Sequence, residues 1–246
     1  ERPAMPARPP GRRLPPAGAA PWPRLGENRA TPAPTPAPRP MSSFARTKIQ
    51  PPRLRPGALI ERPVLEAALT DALLTRRLVL ITAAAGFGKT SSLARQIERL
   101  PASTAVAWVS CDAGDMPLQL FACLVAALEP FDLPWRNAPE ALIAAGARAP
   151  DTPEGRAGPM REITSELINA LDASEAPHGV IMVDDLHRVE HRGVYEFLER
   201  LLDRMPPRWT MAIATRELPP IALARLRAAG EMAEFALDQL RFDEQE

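Results

Sequence analysis

The stretch LVLITAAAGFGKT, residues 78–90, decides the fold. Leu78 to Thr82 (LVLIT) is a short apolar run with the length and composition of a buried strand, and a helix is expected from about Lys89 to Leu100. Between them Ala83 to Thr90 (AAAGFGKT) makes a glycine-containing turn, so a strand feeds directly into a helix. That is the setting a phosphate-binding loop requires. The pattern G-x-x-x-x-G-K-[ST] is met from Gly88 onward, with Ala83 standing at its first position in place of Gly. Gly86 and Gly88 permit backbone conformations in which successive N–H groups point inward, and the helix N-terminus adds partial positive charge toward a phosphate. Lys89 is placed to reach the β- and γ-phosphates and the Thr90 hydroxyl to bind Mg²⁺. The candidate phosphate-binding set is therefore Ala83, Ala84, Ala85, Gly86, Phe87, Gly88, Lys89, Thr90 and Ser91. The chain holds 28 Arg and only two Lys, Lys48 and Lys89, so a composition that uses Arg nearly everywhere keeps a Lys where a compact ammonium is needed. The plainer alternative is a glycine-rich turn with no ligand.

A second element strengthens the phosphate reading. Val180 to Asp185 (VIMVDD) is four apolar residues ending in two carboxylates, which puts Asp184 at the carboxyl end of a buried strand. Charge at the tip of a buried strand is costly unless a cation waits there, and nucleotide-bound Mg²⁺ is the natural candidate. Asp184 would hold the metal together with Thr90, and Asp185 would polarise the attacking water as a general base. A solvated strand end that caps the next segment is the alternative. Lys89 and Asp184 are 95 residues apart, with at least one strand–helix unit between them. The spacing fits P-loop ATPases with an inserted strand better than small GTPases. A strand over Trp209–Thr215 ends in Ala214-Thr215-Arg216, where Arg216 is the candidate γ-phosphate sensor, or else an Arg in a surface ion pair.

Further strands are expected at Ala105–Ser110, Val180–Asp184 and Glu234–Leu237, and helices at Pro117–Glu129, about Arg161–Leu171, Gly193–Met205 and Ile221–Ala229. Residues 130–160, rich in Pro, Ala and Gly, read as a loop or insertion. Short strands alternating with helices predict an α/β fold, a three-layer sandwich with a mainly parallel sheet and ligands at the strands' carboxyl ends.

Of the 30 prolines, 13 fall in residues 1–40, together with seven Arg and two Glu. This segment reads as disordered with polyproline II character. It is either a true Pro-rich tail or an over-extended reading frame ahead of a start at Met41. The remaining 206 residues carry 23 basic and 28 acidic side chains, a balance that argues against a dedicated nucleic-acid binder. Cys111 and Cys123 read as buried thiols in a reducing compartment, without zinc spacing or a disulfide scaffold. Neither a secretory signal nor a membrane-spanning run of roughly 18 apolar residues is present, so the expected location is the cytoplasm.

From about Thr47 to Glu246 the sequence resembles the nucleotide-binding domain of MalT-like, LuxR-type transcriptional regulators, members of the STAND class of signalling ATPases. The resemblance is carried by TKIQPPRLRPGALIERPVLEAAL, LVLITAAAGFGKT, AWVSCDAGD with QLFACLVAAL, IMVDDLHRV, IATRELPPIALARLR and LDQLRFDEQE, in the family's order. It implies a P-loop NTPase fold over 41–240, ATP or ADP with Mg²⁺ as cofactors, and the start of a winged-helix region at 241–246. By the same resemblance Lys89 and Thr90 bind phosphate and Mg²⁺, Asp184 is the metal-side acid, Arg216 the sensor, and Arg62 a residue near the adenine. Asp112 and Asp115 match a further pair, with Met116 where the family usually has Asn.

Family members continue into a helical-repeat sensor and a C-terminal helix-turn-helix, so the resemblance implies a truncated regulator that contacts DNA only through an absent part. It also implies self-association when activated in the full-length form. The expected function is a slowly hydrolysing ATP switch. The alternatives are a nucleotide-binding module without catalysis and an inert remnant. A motor-type AAA ATPase would need an arginine finger supplied across a ring, and no residue identifies one.

Overall fold

Residues 44–54, 61–150 and 152–241 are described by the structure, a computed structural model. The segment 1–40 and all but Arg241 of the stretch 241–246 lie outside the described residues. In chain order the elements are α1 (Pro63–Thr75), β1 (Leu78–Thr82), α2 (Lys89–Arg99), β2 (Thr104–Ser110), α3 (Pro117–Leu128), α4 (Pro139–Arg148), α5 (Pro153–Asp172), β3 (His178–Asp184), α6 (Arg192–Arg204), β4 (Trp209–Thr215), α7 (Ala224–Ala228), β5 (Met232–Phe235) and α8 (Leu237–Leu240). Short 3-10 turns cover Arg46–Ile49, Glu129–Phe131 and Leu186–Arg188.

Among the described residues five strands form one sheet in the order β2-β3-β4-β1-β5, with every pairing parallel. Alternate residues of each strand serve opposite faces. Leu78, Leu80, Ile181, Val183, Met211 and Ile213 share one apolar cluster with Phe121 of α3, Leu142 of α4, Leu167 of α5 and Phe197 of α6. Val79, Ile81, Val180, Met182, Ala212 and Ala214 share the other with Leu69 and Leu73 of α1 and Leu93 of α2. Each such Leu, Ile or Phe contributes about 1.5–3 kcal/mol by leaving water, which is why both faces must be covered. The expected three-layer parallel architecture is what the chain adopts.

Four elements differ from the sequence reading. Residues 130–160 are not a loop, because α4 and the first turns of α5 occupy much of them. Pro159 removes a backbone donor inside α5 and so points to a later helix start. Yet the Thr152 hydroxyl caps the helix by accepting the Gly155 N–H at 3.0 Å, and Ile163, Leu167 and Leu171 anchor it in the core. The second is α1, a helix for which the sequence reading holds no expectation, whose Leu65, Leu69, Ala72 and Leu73 recur at helical spacing and are buried. Third, the expected helix 221–229 is reduced to the five residues of α7. Fourth, the last strand lies two residues earlier than expected, at an edge where only Phe235 is buried and the pattern carries little signal.

Among the described residues no helix is long and apolar enough to cross a membrane. Cys111 and Cys123 are free and buried. Burial pushes the Cys111 thiol far up and Cys123 up to about 12, so neither is a reactive thiolate.

Candidate functional site

The strand order brings three carboxyl ends side by side. Thr82 of β1 pairs with Thr215 of β4, and β4 pairs in turn with β3, which ends at Asp184. The loop after β1, Arg216 after β4 and the Asp184-Asp185 pair therefore gather at one end of the sheet. The strand that follows the loop in sequence, β2, is not the acidic strand, and in the sheet β4 lies between the loop strand β1 and the acidic strand β3.

The loop begins where Ala83 N–H donates to Thr215 O at 3.3 Å. Gly86 and Gly88 have φ of +87° and +72°, values that side chains rarely tolerate, so both glycines are required by the turn. Ala84, Ala85, Gly86 and Gly88 face solvent, whereas Ala83 is buried and Phe87 packs against the core on the α1–α2 face. Gly88 caps α2, and Ser91 lies half-buried in that helix's first turn.

Lys89 is buried, and its Nζ donates to Ala84 O at 2.9 Å. Burial lowers its proton affinity and nearby Arg216 adds to this, while Asp185 and Asp184 oppose it. Thr90 Oγ1 donates to Asp184 Oδ1 at 3.0 Å, joining the loop to the strand tip across β4. Asp184 is only 4% exposed, and burial followed by repulsion from Asp185 pushes its pKa up to about 6. The Thr90 hydroxyl, the Asp185 N–H and Lys89 pull the other way. A buried carboxylate under that strain, with a hydroxyl on it, is suited to a cation. Among the described residues no three His, Cys, Asp or Glu side chains gather as metal ligands, so a cation here would draw further oxygens from its own ligand.

Asp185 adopts the left-handed conformation, φ 56°, and its side chain is 37% exposed. Arg216 is exposed at the end of β4. The Arg62 guanidinium donates to the carbonyls of Gln239, Leu240 and Arg241 at 3.1, 3.0 and 2.6 Å, fastening the start of α1 to the end of α8. Asp112 and Asp115 follow β2 and hold Lys48, whose Nζ lies 3.1 Å from Asp112 and 2.5 Å from Asp115. Sequence reasoning missed Lys48 as a partner of that pair, although its rarity was a signal. It also missed His187, which lies in the quoted run IMVDDLHRV.

The family described as AAA domain matches residues 72–221, well over half of the chain. This chain belongs to that family. The matched span of the AAA domain includes the loop, Asp184, Asp185 and Arg216, and excludes Lys48 and Arg62. Its sequence is 28% identical over 171 residues to the HTH-type transcriptional regulator MalT of Klebsiella pneumoniae, covering 69% of this chain and 18% of that protein. The MalT of Yersinia enterocolitica is 26% identical over 175 residues, with the same 69% and 18% shares. The AAA domain is thus MalT-like, and the chain spans under a fifth of the length of these relatives. Among solved structures, the Walker-type ATPase paby2304 of Pyrococcus abyssi is 17% identical with a TM-score of 0.42, covering 67% of this chain and 47% of that one.

Proposed function

We propose that this AAA domain binds ATP or ADP with Mg²⁺ and hydrolyses ATP slowly, as the switch of a MalT-like regulator in the cytoplasm. The observation that carries the reading is the 3.0 Å bond from Thr90 to Asp184, which places a hydroxyl and a strand-end carboxylate together beside a glycine loop and Lys89. Backbone N–H groups of residues 83–91 would cradle the phosphates, and Lys89 would leave Ala84 O for a phosphate oxygen. Thr90 and Asp184 would hold the metal, which supplies charge neutralisation at the phosphates.

Asp185 would polarise water, Arg216 would meet the terminal phosphate, and Arg62 would lie toward the adenine side. In hydrolysis the water oxygen bonds to the terminal phosphorus as the bond from that phosphorus to the bridging oxygen breaks, and the water's proton moves toward Asp185. A switch works by different affinity for two conformations, so turnover need not be fast.

Calorimetric titration of the chain with ADP and with ATP plus Mg²⁺, with Lys89→Ala as control, tests the reading. Saturable binding lost in Lys89→Ala supports it, and Asp184→Ala should keep binding and lose turnover. Equal affinity of Lys89→Ala and the parent would refute the site.

A further inference from the structure

Directly behind Asp185 lies a polar atom without a partner. His187 sits in the 3-10 turn Leu186–Arg188, its side chain only 10% exposed, and its Nδ1 is buried with no hydrogen bond. That atom stands 3.9 Å from Asp185 Oδ1, just beyond hydrogen-bonding reach. A buried, unsatisfied ring nitrogen costs free energy unless it finds a partner in some state of the molecule.

The turn itself is held firmly. Arg188 N–H donates to Asp185 O at 2.9 Å, and the Tyr195 hydroxyl donates to Leu186 O at 3.3 Å and to Val189 O at 2.9 Å. With the Asp185 backbone fixed in its left-handed conformation, the torsion of its carboxylate is the freedom that remains. Whichever oxygen takes a donor from His187, the other is turned away from it. Burial, together with Arg216, Lys89 and Arg188, favours a neutral imidazole against the pull of Asp185, so one ring nitrogen carries a proton and the other a lone pair.

We propose that His187 is a positioning residue: as the Nδ1–H tautomer it donates to Asp185 and turns the second carboxylate oxygen toward the water that attacks the terminal phosphate. The proposal rests on the reading of Asp185 given above. The opposite tautomer would set a lone pair against a carboxylate. The 3.9 Å separation exceeds a hydrogen bond by under about 1 Å, and loss of an outer-shell partner that orients a functional side chain at a metal site typically costs about 10- to 100-fold.

Two measurements on the full chain test it. Nitrogen-15 NMR of the imidazole rings reads the tautomer without any turnover, with the His187 signals assigned by their loss in His187→Asn. The expected result is the Nδ1–H form, changing to the Nε2–H form in Asp185→Ala; the Nε2–H form in both overturns the proposal. Single-turnover ATP hydrolysis supplies the second readout. His187→Ala and His187→Gln should slow it about 10- to 100-fold at unchanged ATP affinity. His187→Asn, whose amide N–H takes the place of Nδ1–H, should recover most of the loss. Equal loss in Asn and Ala variants, or none in either, also overturns the proposal. A parent protein that does not hydrolyse ATP refutes the ATPase reading and, with it, His187's part in hydrolysis, while the tautomer still decides whether His187 donates to Asp185.

Discussion

Lys48 Nζ stands 2.5 Å from Asp115 Oδ1, an ion pair that fastens the turn Arg46–Ile49 to the loop after β2. The Asp115 side chain is 2% exposed and that of Lys48 10%, so the pair is shielded from water. Asp115 also accepts the Asp112 N–H through Oδ2 at 2.8 Å, and Asp112 pairs with both Lys48 and Arg188. The segment ahead of α1 is thus tied through the Asp112 carboxylate to Arg188 in the turn that follows Asp184.

Removing one partner leaves the other charge buried and unpaired. Lys48→Met is expected to destabilise the protein by about 3–5 kcal/mol, measured by urea denaturation. The double variant Lys48→Met with Asp115→Leu should recover a large part of that loss. A Lys48→Met protein as stable as the parent would refute the ion pair as an anchor.

Asp184 predicts a pH dependence whose sign follows from its raised pKa. The folded form binds the proton more tightly than the unfolded chain, so this contribution to stability is full below pH 3.8 and is lost as pH rises through about 6. Asp184→Asn keeps an oxygen for the Thr90 hydroxyl and removes the buried charge. At neutral pH the ligand-free variant should be more stable than the parent by about 1–3 kcal/mol, converging with it near pH 4. Thermal melts across pH 4–8 check this; a variant less stable at pH 7 would contradict it.

Gly179 of β3 lies flat against the ring of Trp209, which is fully buried. A Cβ at 179 would enter the ring, so Gly179→Ala should cost about 1–3 kcal/mol or more by overpacking. Gly114, with open space around its Cβ position and an ordinary φ, is the control. Equal melting temperatures for the two Ala variants would show that β3 and Trp209 can move apart.

Arg62 donates to three successive carbonyls at the end of α8. Arg62→Ala should raise amide exchange over residues 237–241 while leaving the strand centres protected. If Arg62 also serves the adenine side, the same variant should lower ATP affinity more than inorganic triphosphate affinity. Unchanged exchange at 237–241 would show that the tie does not hold that segment.

The local elements that build the site were legible because their signals are local. LVLIT, VIMVD and WTMAIAT are apolar runs of strand length, and the strand over Trp209–Thr215 has the bounds expected of it. The left-handed φ of Gly86 and Gly88 follows from the loop type that the residues spell out. By contrast, α4 and the start of α5 were missed because Pro, Ala and Gly there obscure helical periodicity, and burial of Leu142 of α4 and Ile163 of α5 in the core overrides weak propensity.

What the sequence by itself determined is the alternation of strands and helices, the loop at the end of β1 and the carboxylates at the end of β3. Spacing alone also implied a strand–helix unit between the two along the chain, which is β2 with α3. Tertiary structure alone decided that β4, which follows Asp184 in the chain, lies between β1 and β3 in the sheet, that Thr90 meets Asp184 across 94 positions, and that Lys48 reaches Asp115 across 67. Periodicity and turn chemistry act over a few residues, whereas these contacts exist only once the crossovers have laid the strands side by side. His187 shows the same division: its place after Asp185 is written in the chain, but its burial and unsatisfied nitrogen arise from the packing around the turn.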